Sequence, residues 1–325
     1  MSGQVTILLA THNGHRWLAP LVHSIQEQTY PDWRLMVLDD GSTDDTPELT
    51  RDLLEREKRA VLQVSTLHRG AVGTFEELLS TVSTPYFALC DQDDVWQPRK
   101  LEESVELLER TGTELVYTDL VVVDEDLCQV AASMWKYSQI VPVRGKALIP
   151  LLLRNAVTGC TIVGRTALLT RALPFPPGIP MHDWWLAVVA ASGRGVEPLT
   201  HPSVLYRQHG QNELGASALS LSSLRRRQSR QGGSLSQYLD GRIQSRLAMV
   251  MALRAMGIDR EPRFLSWFYR RTGAVRFVVA PVYFIYALTH AGILGVRALG
   301  VDLMLSCWPV GVTRTRLVTG GNNVE

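Results

Sequence analysis

Three times in its first hundred residues the chain repeats one local pattern: a short apolar run, a polar turn, then a stretch with helical spacing or helix formers. Val5-Thr6-Ile7-Leu8-Leu9-Ala10 is broken by Thr11-His12-Asn13-Gly14 and followed by Trp17, Leu18, Leu21 and Ile25 at helical intervals. Arg34-Leu35-Met36-Val37-Leu38 runs into Asp39-Asp40-Gly41-Ser42-Thr43-Asp44-Asp45-Thr46, with a helix expected from Pro47 to Lys58. Tyr86-Phe87-Ala88-Leu89-Cys90 empties into Asp91-Gln92-Asp93-Asp94-Val95-Trp96. A further strand over Val61 to Thr66 and a helix over Phe75 to Val82 complete the alternation. Strands alternating with helices predict an α/β protein with a Rossmann-like, mostly parallel sheet flanked by helices. Open sheets of this kind bind ligands beyond the carboxyl ends of their strands. Thr11, Asn13, Asp39, Asp40 and Asp91 to Asp94 are therefore expected to converge on one crevice.

The acidic run at the end of the fourth strand carries the sharpest chemistry. Crowded carboxylates repel one another and lose hydration, a cost that a divalent cation among them offsets. Hard ions such as Mg²⁺ or Mn²⁺ take oxygen ligands and bring substrate phosphates. The same residues also suit a solvated turn capping the next helix, with Asp94 near the N-cap, and both readings stand on the run alone. No Gly-x-Gly-x-x-Gly follows the first strand and no Gly-Lys-Ser/Thr loop is present, which removes the main support for dinucleotide-binding and P-loop readings. Without a glycine cradle, a diphosphate would depend on a metal for charge neutralisation, and that requirement points back to Asp93.

Charge is distributed unevenly along the 325 residues. Through Leu224 the chain carries 18 Lys and Arg against 27 Asp and Glu; beyond it the count is 15 against 5, and all 15 are arginine. Such a split suggests two regions with different partners, the basic one facing anionic lipid or another acidic surface. The four cysteines, Cys90, Cys128, Cys160 and Cys307, are too scattered for a zinc site and fit a reducing cytosol. The N-terminus starts a strand at once and lacks the regions of a signal peptide, so a cytoplasmic location is expected.

Ile7 to Asn13, Leu38 to Thr46 and Asp91 to Trp96 together resemble family 2 inverting glycosyltransferases, enzymes of the GT-A fold that use nucleotide-diphosphate sugars. Tyr117-Thr118-Asp119, Ser133-Met134-Trp135-Lys136-Tyr137, Val157-Thr158-Gly159-Cys160, His182-Asp183-Trp184-Trp185 and Tyr206-Arg207-Gln208-His209-Gly210-Gln211-Asn212 are similar to the branch of bacterial rhamnosyltransferase-like enzymes of surface polysaccharide assembly. The resemblance covers roughly residues 4 to 215. It implies that Asp39 or Asp40 contacts the nucleobase, that Thr11 and Asn13 lie against the nucleotide, that Asp91 faces the ribose, and that Asp93 holds Mn²⁺ or Mg²⁺ with Asp94 supporting the loop. It implies Asp183 as the general base, taking the proton of the incoming hydroxyl opposite the leaving diphosphate. Trp184 and Trp185 are candidates to stack on sugars, one of them being core, and Thr158 joins them on the acceptor side. By the same resemblance His209 reaches the metal or diphosphate, Arg207 pairs with a phosphate, and their loop forms a flap over the donor.

One stretch departs from the family. Where many relatives carry Asn, this chain reads His68-Arg69-Gly70-Ala71-Val72-Gly73-Thr74, with His68 and Thr74 substituting. That segment, Gly70 included, is expected at the nucleotide or sugar, so the donor stays open between dTDP-rhamnose and a UDP-hexose. The expected acceptor is a glycan or lipid-linked glycan, with no nucleic acid as partner.

The expected organisation is a catalytic domain over 1–215, its nucleotide part at 1–100 and its acceptor part at 101–215. A Ser/Arg-rich linker at 216–234 and a basic, apolar helical region at 235–325 follow. Leu235, Leu239, Ile243, Leu247 and Met251 mark an amphipathic helix with Arg242 and Arg246 off its stripe. Phe277 to Val296 holds no charged residue, and its 20 residues reach the length of a bilayer span. Pro281, Gly292 and Gly295 weaken a spanning helix, leaving shallow insertion at the inner membrane, a buried hairpin and a homodimer contact as alternatives. Two other functions compete with this one: a non-catalytic glycan-binding or scaffolding homologue, against which Asp93 and Asp183 argue, and a sugar-nucleotide pyrophosphorylase, whose glycine-rich, lysine-bearing loop is lacking in Ala10-Thr11-His12-Asn13-Gly14.

Overall fold

The computed structural model describes residues 3–209 and 235–258, with side chains in the second stretch from residue 244 onward. The expected linker, the end of the Tyr206-to-Asn212 motif and Phe277 to Val296 lie outside the described residues.

The chain opens with β1 (Val5–Thr11), α1 (Leu18–Gln26), β2 (Trp33–Asp39), α2 (Thr46–Leu54), β3 (Ala60–Val64), α3 (Gly70–Ser80) and β4 (Tyr86–Asp91). It continues through β5 (Val95–Trp96), α4 (Lys100–Thr111), β6 (Leu115–Val123), β7 (Gln129–Ala131), α5 (Met134–Tyr137), α6 (Leu148–Leu153) and β8 (Val163–Arg165). The last elements are α7 (Leu169–Ala172), α8 (His182–Ser192), β9 (Val196–Arg207) and α9 (Leu235–Ala255). One sheet runs in the order β3-β2-β1-β4-β8-β6-β9-β5, with β7 paired to β6. The first four strands are parallel, as the alternation predicts. Beyond β4 the sheet turns mixed: β8 pairs antiparallel with both β4 and β6, while β9 runs parallel to β6.

Strand geometry sends successive side chains to opposite faces. Ile7 and Leu9 of β1 enter one apolar cluster with Leu18, Leu21 and Ile25 of α1, while Leu8 enters the other with Phe75, Leu78 and Leu79 of α3. Burial on both faces explains why β1 reads as a continuous apolar run rather than an alternating one. The parallel register sets Thr11 beside Asp39 and Ala10 beside Asp91, so three strands deliver their polar ends to one edge.

Three expectations needed correction. Helix α3 begins at Gly70, five residues before the expected start, because both carboxylate oxygens of Asp40 accept from its first amides, Arg69 N and Gly70 N at 2.8 Å each. Helix α2 ends at Leu54 rather than Lys58. In α9 the buried face is Arg246, Met249, Val250 and Leu253, whereas Met251 of the expected stripe is 56% exposed. Arg246 joins the inner face because its Nη2 donates to Leu153 O at 2.6 Å and its guanidinium lies toward the Trp184 ring, 6.0 Å from the centroid. Hydrogen bonding and an aromatic face make a buried arginine tolerable where the apolar pattern alone places it outside.

Candidate active site

The strand ends open on a cleft of about 450 Å³, within the range of small-molecule sites. Thr11, Asn13, Asp40 and His68 line one end, Asp91, Gln92, Asp93 and His209 the middle, and Thr158, Gly159, His182 and Asp183 the other. Residues from seven separated segments therefore meet in one place.

At the first end the two aspartates of β2 divide their work. Asp39 is fully buried and accepts from Thr11 Oγ1 at 3.0 Å, Ser42 N at 2.9 Å and Ser42 Oγ at 2.6 Å. It fixes the turn after β2 and does not line the cleft. Asp40 faces the cleft, ties down the start of α3, and holds His68, whose Nδ1 stands 2.9 Å from Asp40 Oδ2. His12 pairs its Nδ1 with Asp40 O at 3.0 Å, and the His12 and His68 rings lie 4.1 Å apart. Asn13 adopts a positive φ of 49°, tolerated by Asn, and its Oδ1 accepts from Thr43 N at 2.8 Å. Gly70 donates its backbone amide to Asp40 Oδ2 at 2.8 Å and is not among the residues lining the cleft.

Gln92, which the sequence reading passed over, joins β1 to β4. Its Oε1 accepts from His12 N at 2.8 Å and its Nε2 donates to His12 O at 3.0 Å. One side chain thus mimics a strand rung just past the last backbone pair. The only sequence signal for it is its place between two acids.

The acidic run is layered. Asp93 faces the cleft, with Oδ2 2.8 Å from His209 Nε2. Asp94 is fully buried, and burial, with Asp93 and Asp91 adding to it, raises its pKa well above the usual carboxylate range. Neither Asp94 oxygen meets a nitrogen or oxygen partner; the Cys160 thiol is its neighbour. Ligand atoms of Asp91, Asp94 and Cys160 lie within 4.8 Å of one another. Burial holds Cys160 as a neutral thiol, a poor partner for a hard cation. Asp91 and Asp93 line the cleft with His209, and carboxylate and imidazole are donor types that Mn²⁺ accepts. Lys100, buried beneath, donates to Cys160 O at 2.6 Å and stands 3.4 Å from the centre of the Trp96 ring.

Trp17 is a second residue whose role was not legible. It reads as an apolar position of α1, yet its indole carries a stack: His209 lies on it at 5.0 Å between centroids, and Arg16 and Arg207 stand over it at 4.2 and 4.7 Å. Arg207 lies outside the cleft lining, 3% exposed, with Nε donating to Asp93 O at 3.0 Å and Nη1 to Glu125 O. Arg207 thus braces the Asp93 loop.

Asp183 sits in the first turn of α8, whose N-cap position is Met181, and Asp183 is 7% exposed. Its Oδ1 accepts from Asn155 Nδ2 at 3.1 Å and from Trp184 N. Those bonds and the amide of Gly159 lower its pKa, as a helix N-terminus also does, but desolvation outweighs them and the pKa rises to about 7. A carboxylate so placed takes a proton at neutral pH. Thr158, expected on the acceptor side, lines the cleft beside it. Trp185 does not: it is fully buried and donates Nε1 to Ala172 O at 2.9 Å, so it is core. Trp184 packs outward from the cleft with Nε1 on Leu151 O. The remaining motifs are structural. Asp119 accepts from Ser133 Oγ at 2.5 Å and Trp135 N at 3.1 Å, clasping the Tyr117-Thr118-Asp119 segment to the Ser133-to-Tyr137 segment.

Comparison with known proteins bears on the family and the fold. The chain is 24% identical over 192 residues to the UDP-Glc:alpha-D-GlcNAc-diphosphoundecaprenol beta-1,3-glucosyltransferase WfgD of Escherichia coli, covering 57% of this chain and 69% of WfgD. It is 24% identical over 225 residues to the dTDP-rhamnosyl transferase RfbG of Shigella flexneri, covering 64% of this chain and 74% of RfbG. Of other curated relatives it spans much less, 38% in one case. Among solved structures, S. aureus TarS in complex with UDP-GlcNAc superposes with a TM-score of 0.58 at 13% identity, covering 93% of this chain and 81% of that one. At that identity the likeness bears on the fold, which is GT-A. The glycosyl transferase family 2 model matches residues 6–168, half of the chain and the strand ends from Thr11 to Asp93, and the chain belongs to that family.

Proposed function

We propose that this glycosyltransferase moves a hexosyl group, with inversion, from a nucleotide-diphosphate donor to a hydroxyl of a glycan or lipid-linked acceptor in bacterial surface polysaccharide biosynthesis. The observation that carries the reading is the sharing of one cleft by Asp183, buried and with its pKa near 7, and by the Asp91-to-Asp93 strand end. The nucleotide lies along Thr11, Asn13 and Asp40, and the diphosphate reaches Asp91 and Asp93. Asp93 and His209, with Asp91, would hold Mn²⁺ or Mg²⁺, which when bound neutralises charge on the leaving diphosphate. The acceptor hydroxyl gives its proton to Asp183 as its oxygen attacks the anomeric carbon from the face opposite the leaving group. Burial of Asp183 serves that step by keeping competing water away and its basicity high.

Relatives favour a dTDP-rhamnose or UDP-hexose donor: WfgD carries UDP-Glc in its name and RfbG dTDP-rhamnose. The division into a catalytic domain at 1–215, a linker and a basic C-terminal region is likewise part of this reading, as are contact with the cytoplasmic face of the inner membrane and a homodimer. Among the described residues no helix is long and apolar enough to cross a membrane. Purified protein incubated with UDP-glucose, UDP-galactose and dTDP-rhamnose, with and without Mn²⁺, is expected to release the nucleoside diphosphate from one donor in a metal-dependent manner. No release from any donor in the presence of a lipid-linked glycan extract would refute the reading.

A further inference from the structure

His182 precedes the general base and stands at the junction of the cleft's two halves. It is 4% exposed, and its ring lies on Phe75 with centroids 4.1 Å apart and planes 26° from parallel. Phe75 belongs to α3, whose first turn is anchored at the nucleotide end by Asp40; Asp183 follows on α8. The imidazole thus joins α3 to the helix that carries the base, and it lines the cleft that a transferred sugar would enter. Neither Nδ1 nor Nε2 meets a hydrogen-bond partner. Burial pushes the pKa down to about 3, so at neutral pH the ring keeps one N–H and one lone pair. That combination matches a hydroxyl, which also donates and accepts. A buried polar group without a partner is costly, and native folds retain few of them unless something else completes the pair.

Gly159 shapes the approach. A Cβ at this position would stand 3.2 Å from His182 Nε2 and 3.7 Å from Asp183 Oδ2. Any side chain there would press on the nitrogen and on the base, so the glycine leaves room around both in the cleft wall that it also lines. Phe75, Gly159 and the start of α8 together hold the imidazole by shape alone and leave its nitrogens unspent.

We propose that His182 hydrogen-bonds a hydroxyl of the transferred sugar and thereby sets which hexosyl donors the site retains. The assignment rests on the transferase reading above and adds to it the residue that reads the sugar rather than the nucleotide. It also gives the two halves of the cleft a physical link: the residue that senses the sugar is adjacent to the residue that activates its acceptor.

The test is calorimetric binding to the full chain in Mn²⁺, comparing UDP with UDP-glucose and UDP-galactose, and dTDP with dTDP-rhamnose. Wild-type protein is expected to bind one sugar nucleotide more tightly than its nucleoside diphosphate. His182→Phe keeps a ring on Phe75 and removes both nitrogens; it should weaken that sugar nucleotide about tenfold while leaving the nucleoside diphosphate within twofold. His182→Gln should recover part of the loss, and Gly159→Ala, which crowds Nε2, should reproduce it. Equal weakening of diphosphate and sugar nucleotide would reduce His182 to a structural residue and overturn the proposal. Unchanged sugar-nucleotide affinity in His182→Phe would overturn it as well. Absence of any nucleotide binding by the wild type would instead fell the transferase reading, and the two failures are told apart by the wild-type titration.

Discussion

At Asp183 opposing electrostatic effects can be weighed. Three hydrogen bonds and a helix N-terminus favour the carboxylate; desolvation favours the acid, and desolvation wins, placing the pKa near 7. Only the ionised form can accept a proton, so activity should rise with pH. With a saturating donor, kcat should fall about tenfold for each pH unit below about 6 and level off above about 8. A profile flat down to pH 5 would remove Asp183 from the proton transfer. The Trp17 platform makes a second claim at this scale. Trp17→Leu removes the surface on which His209 lies, and with His209 in its proposed role turnover in Mn²⁺ should drop by about 10–100-fold, the usual effect of losing a residue that orients a metal ligand. Recovery of part of that loss at raised Mn²⁺ concentration would mark the effect as one on metal affinity. Asp93, Asp183 and His209 were legible because each sits in a short motif of polar residues. Trp17 and Gln92 were not, since an indole at helical spacing looks like core and a lone amide between acids has no pattern. Their roles arise from partners 80 and more residues away.

Elements obey the same division between local and distant causes. Strands β1, β2 and β4 are apolar runs ended by turn formers, and nothing outside the run is needed to see them. The start of α3 is different: Gly70-Ala71-Val72-Gly73 is weak helix by composition, and the Asp40 carboxylate 30 residues earlier fixes its first amides. Prolines hid β9, because Pro198 and Pro202 lie within it and proline reads as a strand breaker; the β6–β9 register shifts on either side of Pro202. Helix α9 was visible, but its buried face was not, because an arginine occupies it. Leu253 is fully buried on that face, so Leu253→Ala should cost about 2–5 kcal/mol of stability. A denaturation midpoint unchanged by the substitution would show that α9 does not dock as described. Gln92→Ala tests the rung between β1 and β4. Leaving His12 N and O without it should cost about 1–3 kcal/mol, read as loss of stability and a raised KM for the donor.

For the whole molecule, topology decides what can meet. Parallel strands β1, β2 and β4 place the donor-side residues on one edge, and the mixed half of the sheet carries α8 round to face them. That half was not legible, since β8 is only three residues long and its pairing with β4 and β6 spans about 50 to 80 residues of sequence. The expectation of a single crevice followed from the strand ends alone, whereas the placement of Asp183 across from them depends on the mixed half. The donor capture proposed for one wall and the acceptor activation proposed for the other are therefore separable by mutation. The most direct measurement is a paired one on Asp183→Asn: calorimetric affinity for the sugar nucleotide in Mn²⁺, and single-turnover transfer from the same sample. The account predicts affinity within about twofold of the wild type and transfer lowered by 10²-fold or more, the scale of a lost general base. Transfer at the wild-type rate with donor binding intact would contradict it.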